Sequence, residues 1–125
     1  RHPDDNVLSQ MDRALRDSVA EICHKSGLEY ELEQIFYYAP IPFDKGCVSA
    51  VRAGADKMGY SAREIVTGAG HDACFIAQSA PTSMIFIPCI DGISHNEVED
   101  IKPEWATAGA NVMLQAILEK AGVSE

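Results

Sequence analysis

The stretch Ala39-Pro40-Ile41-Pro42 constrains this chain more than any other. A proline lacks a backbone N–H and locks φ, and the residue before it is pushed toward extended geometry, so no helix crosses this point. The chain of 125 residues must therefore be two pieces joined by a stiff extended linker. Residues 1–39 form the first expected piece and residues 40–125 the second.

In the first piece, Asp4, Asp5 and Asn6 are helix-capping residues. Leu8, Met11, Leu15, Val19 and Ile22 then recur at helical spacing, and Gly27 suits a helix end. Leu28, Tyr30 and Leu32 alternate with Glu29, Glu31 and Glu33, which predicts a strand with one wet face. The alternation breaks at Gln34, and Ile35 to Tyr38 are all apolar or aromatic, as at a bulge or on entry to a buried setting. This is the pattern of an α+β layer.

In the second piece Asp44 can cap a helix that carries Val48, Val51, Ala55 and Met58 and ends at Gly59. Ile65 and Val66 predict a short strand running into Gly68-Ala69-Gly70, with a short helix over 72–78. Met84-Ile85-Phe86-Ile87 is a continuous apolar run before Pro88, as in a strand covered on both faces. Pro103 suits the first turn of a last helix bearing Trp105, Val112, Met113, Ala116 and Ile117. Helix-strand-helix-strand-helix predicts an α/β class with a mainly parallel sheet.

Charge narrows the partners. Ten basic against nineteen acidic residues give a net charge of −9. Nucleic-acid backbones and anionic membrane surfaces select basic patches, so neither is expected. No apolar run approaches a membrane span. Cys23, Cys47, Cys74 and Cys89 contain no CxxC pair, which argues against a zinc knuckle. They read as reduced thiols of an intracellular, cytoplasmic protein. The opening Arg1-His2-Pro3 reads as the interior of something longer.

Two loops can carry chemistry, each with a histidine just past an expected strand end, where open α/β sheets bind ligands. Thr67-Gly68-Ala69-Gly70-His71-Asp72 offers close backbone approach and a helix start; the plainer reading is a tight strand-to-helix turn. Asp91-Gly92-Ile93-Ser94-His95-Asn96-Glu97-Val98-Glu99 sets an imidazole among carboxylates; the plainer reading is a solvated acidic loop. His71 and Cys74 could share one turn, but nothing marks Cys74 as activated. His24 answers a helix dipole, and Trp105 reads as core or interface.

The strings RHPDD, PIPFD, GAGHDA and MIFIPC running into GISHN resemble the metal-dependent amidohydrolases of the M20 peptidase superfamily. The branch they resemble is that of N-carbamoyl-L-amino-acid hydrolases, β-ureidopropionases and allantoate amidohydrolases. The resemblance implies the C-terminal third of a longer enzyme: the end of an α+β lid and dimerisation domain, then the return into a metal-binding catalytic domain. It implies that His95 is a ligand to one of two divalent ions (zinc, manganese, cobalt or nickel) and that Arg1 grips a substrate carboxylate. Gly92, Ile93 and Ser94 would line the substrate pocket. His71, Asp72, Asn96 and Glu99 are further active-site candidates, Glu99 as a group that orients His95. The remaining ligands and the general-base glutamate would lie upstream of Arg1, so no catalytic group is expected in these residues and the chain alone is expected to be inactive. The implied partners are a small carboxylate-bearing substrate and a second copy bound through the lid. If these residues were instead the whole product, a dimerising module without catalysis is the alternative.

Overall fold

The computed structural model describes residues 1–122. They form two compact units, one of Arg1–Pro42 with Val66–Ala69, the other of Phe43–Ile65 with the described residues from Gly70 on.

The first unit is built on helix α1, Asp5–Ser26. Asp4 caps it: the carboxylate accepts from the N–H of Asn6 at 2.8 Å and of Val7 at 3.4 Å. At the other end Gly27 takes a left-handed φ of 65°. Its N–H reaches His24 O, and that of Leu28 reaches Cys23 O, the pattern that satisfies the last carbonyls. The extended segment after Gly27 is tied to α1 by polar contacts. Arg16 Nη2 donates to Gln34 Oε1 at 3.5 Å, and the Tyr37 hydroxyl bonds to Asp5. The bond to the Asp5 carboxylate raises the Tyr37 pKa, because it favours the protonated phenol.

The expected strand over 28–38 does not form, nor do those over 65–66 and 84–87; the described residues contain helices and extended segments but no strand. A strand exists only as one side of a hydrogen-bonded ladder. The alternation and the apolar run specify extended backbone with the right faces, but no described segment supplies the facing backbone. The parallel sheet is therefore not formed by these residues. The apolar side chains of the segment stand in solvent: Ile35 is 88% and Phe36 71% exposed. The stripe on α1 is partly uncovered as well: Met11, Leu15 and Ile22 are exposed, and Leu8 and Val19 are half-buried.

The second unit has a core between α2, Lys45–Lys57, and α4, Pro103–Ala121. Short α3 spans Asp72–Ile76. Ala50, Ala55 and Val112 are buried, and the small side chains let the helices approach closely. A Cβ on Gly54 would stand 3.1 Å from both Val112 O and Gln115 Cβ. A Cβ on Gly109 would stand 2.7 Å from Ile87 Cγ2, so the apolar run 84–87 lies directly on α4. Asn111 Nδ2 donates to the Tyr60 hydroxyl at 3.0 Å, and Arg52 pairs with Glu64, fastening the segment after α2. Pro103 occupies the first turn of α4, where its missing N–H is harmless. The four cysteines are half-buried and form no disulfide.

Two outcomes follow from this packing. Gly109→Ala gains about 1 kcal/mol of helix propensity but forces Ile87 aside, an overpacking cost of ~1–3 kcal/mol, so the melting temperature should fall. Adding Ile87→Ala removes the clashing methyl, and a double-mutant cycle should show the two changes to be strongly non-additive. Asp44 caps α2 through the Cys47 N–H at 2.7 Å, and that bond holds its carboxyl below the usual carboxylate range. A carboxyl whose pKa is depressed on folding stabilises the fold above its unfolded pKa, and the contribution fades as pH falls through the folded one. Asp44→Ala should therefore lower the melting temperature at neutral pH, and the gap to the parent should narrow below about pH 4.

Candidate functional site

The loop from Cys89 to Asp100 is closed at its neck by the Ile90 N–H donating to Asp100 O at 2.8 Å. Its first turn is a short 3₁₀ helix, Ile90–Gly92, held by Gly92 N–H to Cys89 O and Ile93 N–H to Ile90 O. Its return is an Asx turn: the Asn96 side-chain oxygen accepts from the Val98 N–H at 3.1 Å, while Asn96 O accepts from the Glu99 N–H at 3.0 Å.

Asp91 and His95 have φ of 54° and 57°. They are the non-glycine residues of left-handed backbone among the described residues. Such a conformation costs of order 1–3 kcal/mol and persists where surrounding contacts over-determine it. For His95 the contact is Glu99, whose Oε2 accepts from the His95 backbone N–H at 2.7 Å. The other oxygen, Oε1, lies 3.5 Å from the Cys89 thiol. Burial, and then this hydrogen bond to a carboxylate, push the Cys89 thiol pKa up. A raised pKa disfavours the thiolate, the reactive form of a cysteine.

His95, Ser94 and Asn96 are exposed on this loop, and Ile93 is 37% exposed. The structure thus brings His95, Glu99 and Cys89 together. Glu99, expected as a group that orients His95, meets it through the main chain. Asn96 shapes the turn with the oxygen it would otherwise offer outward.

The GAGHD stretch is laid out differently. Thr67 Oγ1 accepts from the Ala69 N–H at 3.2 Å, and the Arg1 side chain lies beside Gly68, its Cδ 3.6 Å from where a Cβ would stand. Arg1 is exposed, and it belongs with Gly68 to the first unit. His71 and Asp72 belong to the second, at the start of α3. The half-buried His71 ring packs edge-on against Phe86 at 5.5 Å, and its carbonyl accepts from the Cys74 N–H. Asp72, in the first turn of α3, is exposed.

An imidazole is a donor suited to a borderline divalent ion, but a catalytic zinc takes about three protein ligands. No group of three or more His, Cys, Asp or Glu among the described residues is arranged to hold one. His95 therefore fits a metal as one ligand of a larger set. No helix among the described residues is long and apolar enough to cross a membrane. The sequence reading missed Cys89 as a loop contact and the left-handed turn at Asp91. The Asp91-Gly92 pair, a turn dipeptide, was the available signal for the latter.

Comparison with known proteins places the chain. The profile of peptidase family M20/M25/M40 matches residues 4–119. An N-carbamoyl-L-amino-acid amidohydrolase of Rhizobium meliloti is 45% identical over all 125 residues, and the chain covers 30% of it. An allantoate amidohydrolase of Escherichia coli is 34% identical over 79% of the chain, which covers 24% of that protein. A crystal structure of an amidase of the hydantoinase/carbamoylase family from Burkholderia multivorans is 64% identical, with a TM-score of 0.96; it covers the whole chain and is covered to 30%. The chain thus spans about a third or less of the length of these relatives. On the match over residues 4–119 and the identity over its full length, this chain belongs to peptidase family M20/M25/M40.

Proposed function

We propose that these residues are part of a dinuclear metal amidohydrolase that cleaves the carbamoyl group from N-carbamoyl-L-amino acids or ureidopropionate. Water adds at the ureido carbonyl, the C–N bond to the amino acid breaks, and the products are the free amino acid, CO₂ and ammonia. The observation that carries this reading is the 45% identity, over the whole chain, to a protein named for that substrate class. Allantoate is the second reading, favoured by the 34% identity to an allantoate amidohydrolase.

Each residue takes a role that its chemistry suits. The His95 imidazole, presented on its closed loop, occupies one coordination position of a divalent ion. Such an ion, when bound, polarises the substrate carbonyl and lowers the pKa of a bound water. The Arg1 guanidinium forks onto the substrate carboxylate, a planar bidentate match. Gly92, Ile93 and Ser94 line the pocket beside His95, with His71 and Asp72 at its border. The general base and the other ligands are supplied from outside these residues, so the chain by itself does not turn over substrate.

The wider architecture is part of the same proposal. Residues 1–39 end a lid and dimerisation domain that pairs with a second copy. Residues 40–125 complete a catalytic domain whose mainly parallel sheet forms once residues beyond this sequence supply the neighbouring strands. The compartment is the cytoplasm.

The test uses the protein at the length its source produces. Ammonia release from an N-carbamoyl-L-amino acid should exceed that from allantoate; the reverse ranking would make allantoate the substrate. His95→Ala should remove about one metal ion per chain, read by elemental analysis, and abolish turnover; full metal content and undiminished turnover would overturn the ligand role. Arg1→Ala should weaken carboxylate-bearing substrates by about 2–5 kcal/mol, the range for a charge pair closed off from water. A substrate amide that lacks that carboxylate should bind the variant and the parent alike, and equal losses for both would remove the carboxylate role.

A further inference from the structure

We infer that Glu99 is the positioning residue for His95, acting through the main chain of the loop and not through the imidazole. The inference rests on the reading of His95 as a metal ligand and adds what holds that ligand in place. Both Glu99 oxygens are engaged within the loop: Oε2 by the His95 N–H at 2.7 Å, Oε1 by the Cys89 thiol at 3.5 Å. Glu99 follows the Asx turn made by Asn96 and precedes the neck bond to Asp100. Its backbone is therefore fixed on both sides before its side chain reaches across. The carboxylate spans from the start of the loop, at Cys89, to its apex, at His95.

That apex has a left-handed φ of 57°. Histidine adopts this region more readily than most residues but still at a cost. The direction of the Cα–Cβ bond follows from the backbone dihedrals, so a flip of His95 to extended geometry would carry the imidazole away from its present side of the loop. The hydrogen bond to the N–H opposes the flip, because the flip would break it. The common arrangement around ligating histidines places a carboxylate on the second ring nitrogen. Here the carboxylate grips the peptide behind the ring, which leaves both ring nitrogens out of its reach through that oxygen.

The two modes make different demands. A carboxylate on the ring fixes a tautomer and raises ligand basicity, functions that need its negative charge. A carboxylate on a peptide N–H needs only an acceptor oxygen, which glutamine also has. The experiment compares Glu99→Ala, Glu99→Gln and His95→Ala in the protein at the length its source produces. Zinc binding is titrated with the metal alone, and hydrogen exchange is followed at the His95 amide. Glu99→Ala should weaken zinc binding by about 10–100-fold and speed exchange at the His95 amide. Glu99→Gln should stay close to the parent in both. If glutamine loses as much affinity as alanine while the His95 amide stays protected, the charge is what matters and the inference is overturned. Parent-like zinc binding in Glu99→Ala overturns it as well. Loss of zinc in His95→Ala beside either of those outcomes leaves the ligand reading standing and removes only the role of Glu99. Full zinc content in His95→Ala removes the ligand reading, and the inference with it. Should Glu99→Ala fail to fold, Glu99→Gln decides alone: retained affinity supports the inference and lost affinity overturns it.

Discussion

Glu99 accepts a hydrogen bond from the backbone of His95, and the candidate site is organised around that bond. It ties the apex of the loop to its return limb and holds a histidine in backbone geometry that few side chains adopt. The neck bond from Ile90 to Asp100 and the Asx turn at Asn96 serve the same end, because they fix the limb from which Glu99 reaches. The loop is thus a rigid presenter for one imidazole. Among the described residues no group of three or more His, Cys, Asp or Glu gathers there to hold a metal, so in the proposed function this imidazole is one ligand of a larger set.

The same incompleteness runs through the packing. The second unit has a core where α2 meets α4: Ala50, Ala55 and Val112 are buried, and Gly54 trades side-chain volume for close approach to Val112 and Gln115. The apolar run at 84–87 gains one covered side, against α4 at Gly109. In the first unit Met11, Leu15 and Ile22 on α1 and the side chains from Ile35 to Tyr38 remain exposed. Apolar surface on this scale marks faces made to be covered. Covering them with the rest of a longer amidohydrolase, or with a second copy, is part of the proposed function.

Local signals in the sequence were read well because they act locally. Asp4, Gly27, Asp44 and Pro103 mark helix ends through contacts within a few residues, and α1, α2 and α4 stand where capping and periodicity put them, while α3, expected over 72–78, ends at Ile76. The expected strands do not form because pairing is not local: alternation at 28–33 and the run at 84–87 specify faces, and no described segment supplies a facing backbone. The loop histidine stood out in the sequence through its neighbours and the family resemblance, and its role belongs to the proposed function. The grip of Glu99 on a main-chain N–H was not legible, since side-chain spacing carries no information about a left-handed peptide four residues away. Nor did sequence place Cys89 against Glu99, a contact that depends on the loop closing at Asp100.

The most direct test of this account is anomalous diffraction, at a metal absorption edge, from crystals of the protein at the length its source produces, grown with zinc or manganese. The account predicts a peak about 2.0–2.1 Å from a ring nitrogen of His95, with the remaining ligands contributed by residues outside this sequence. Metal peaks elsewhere in the molecule with none at His95 would contradict it.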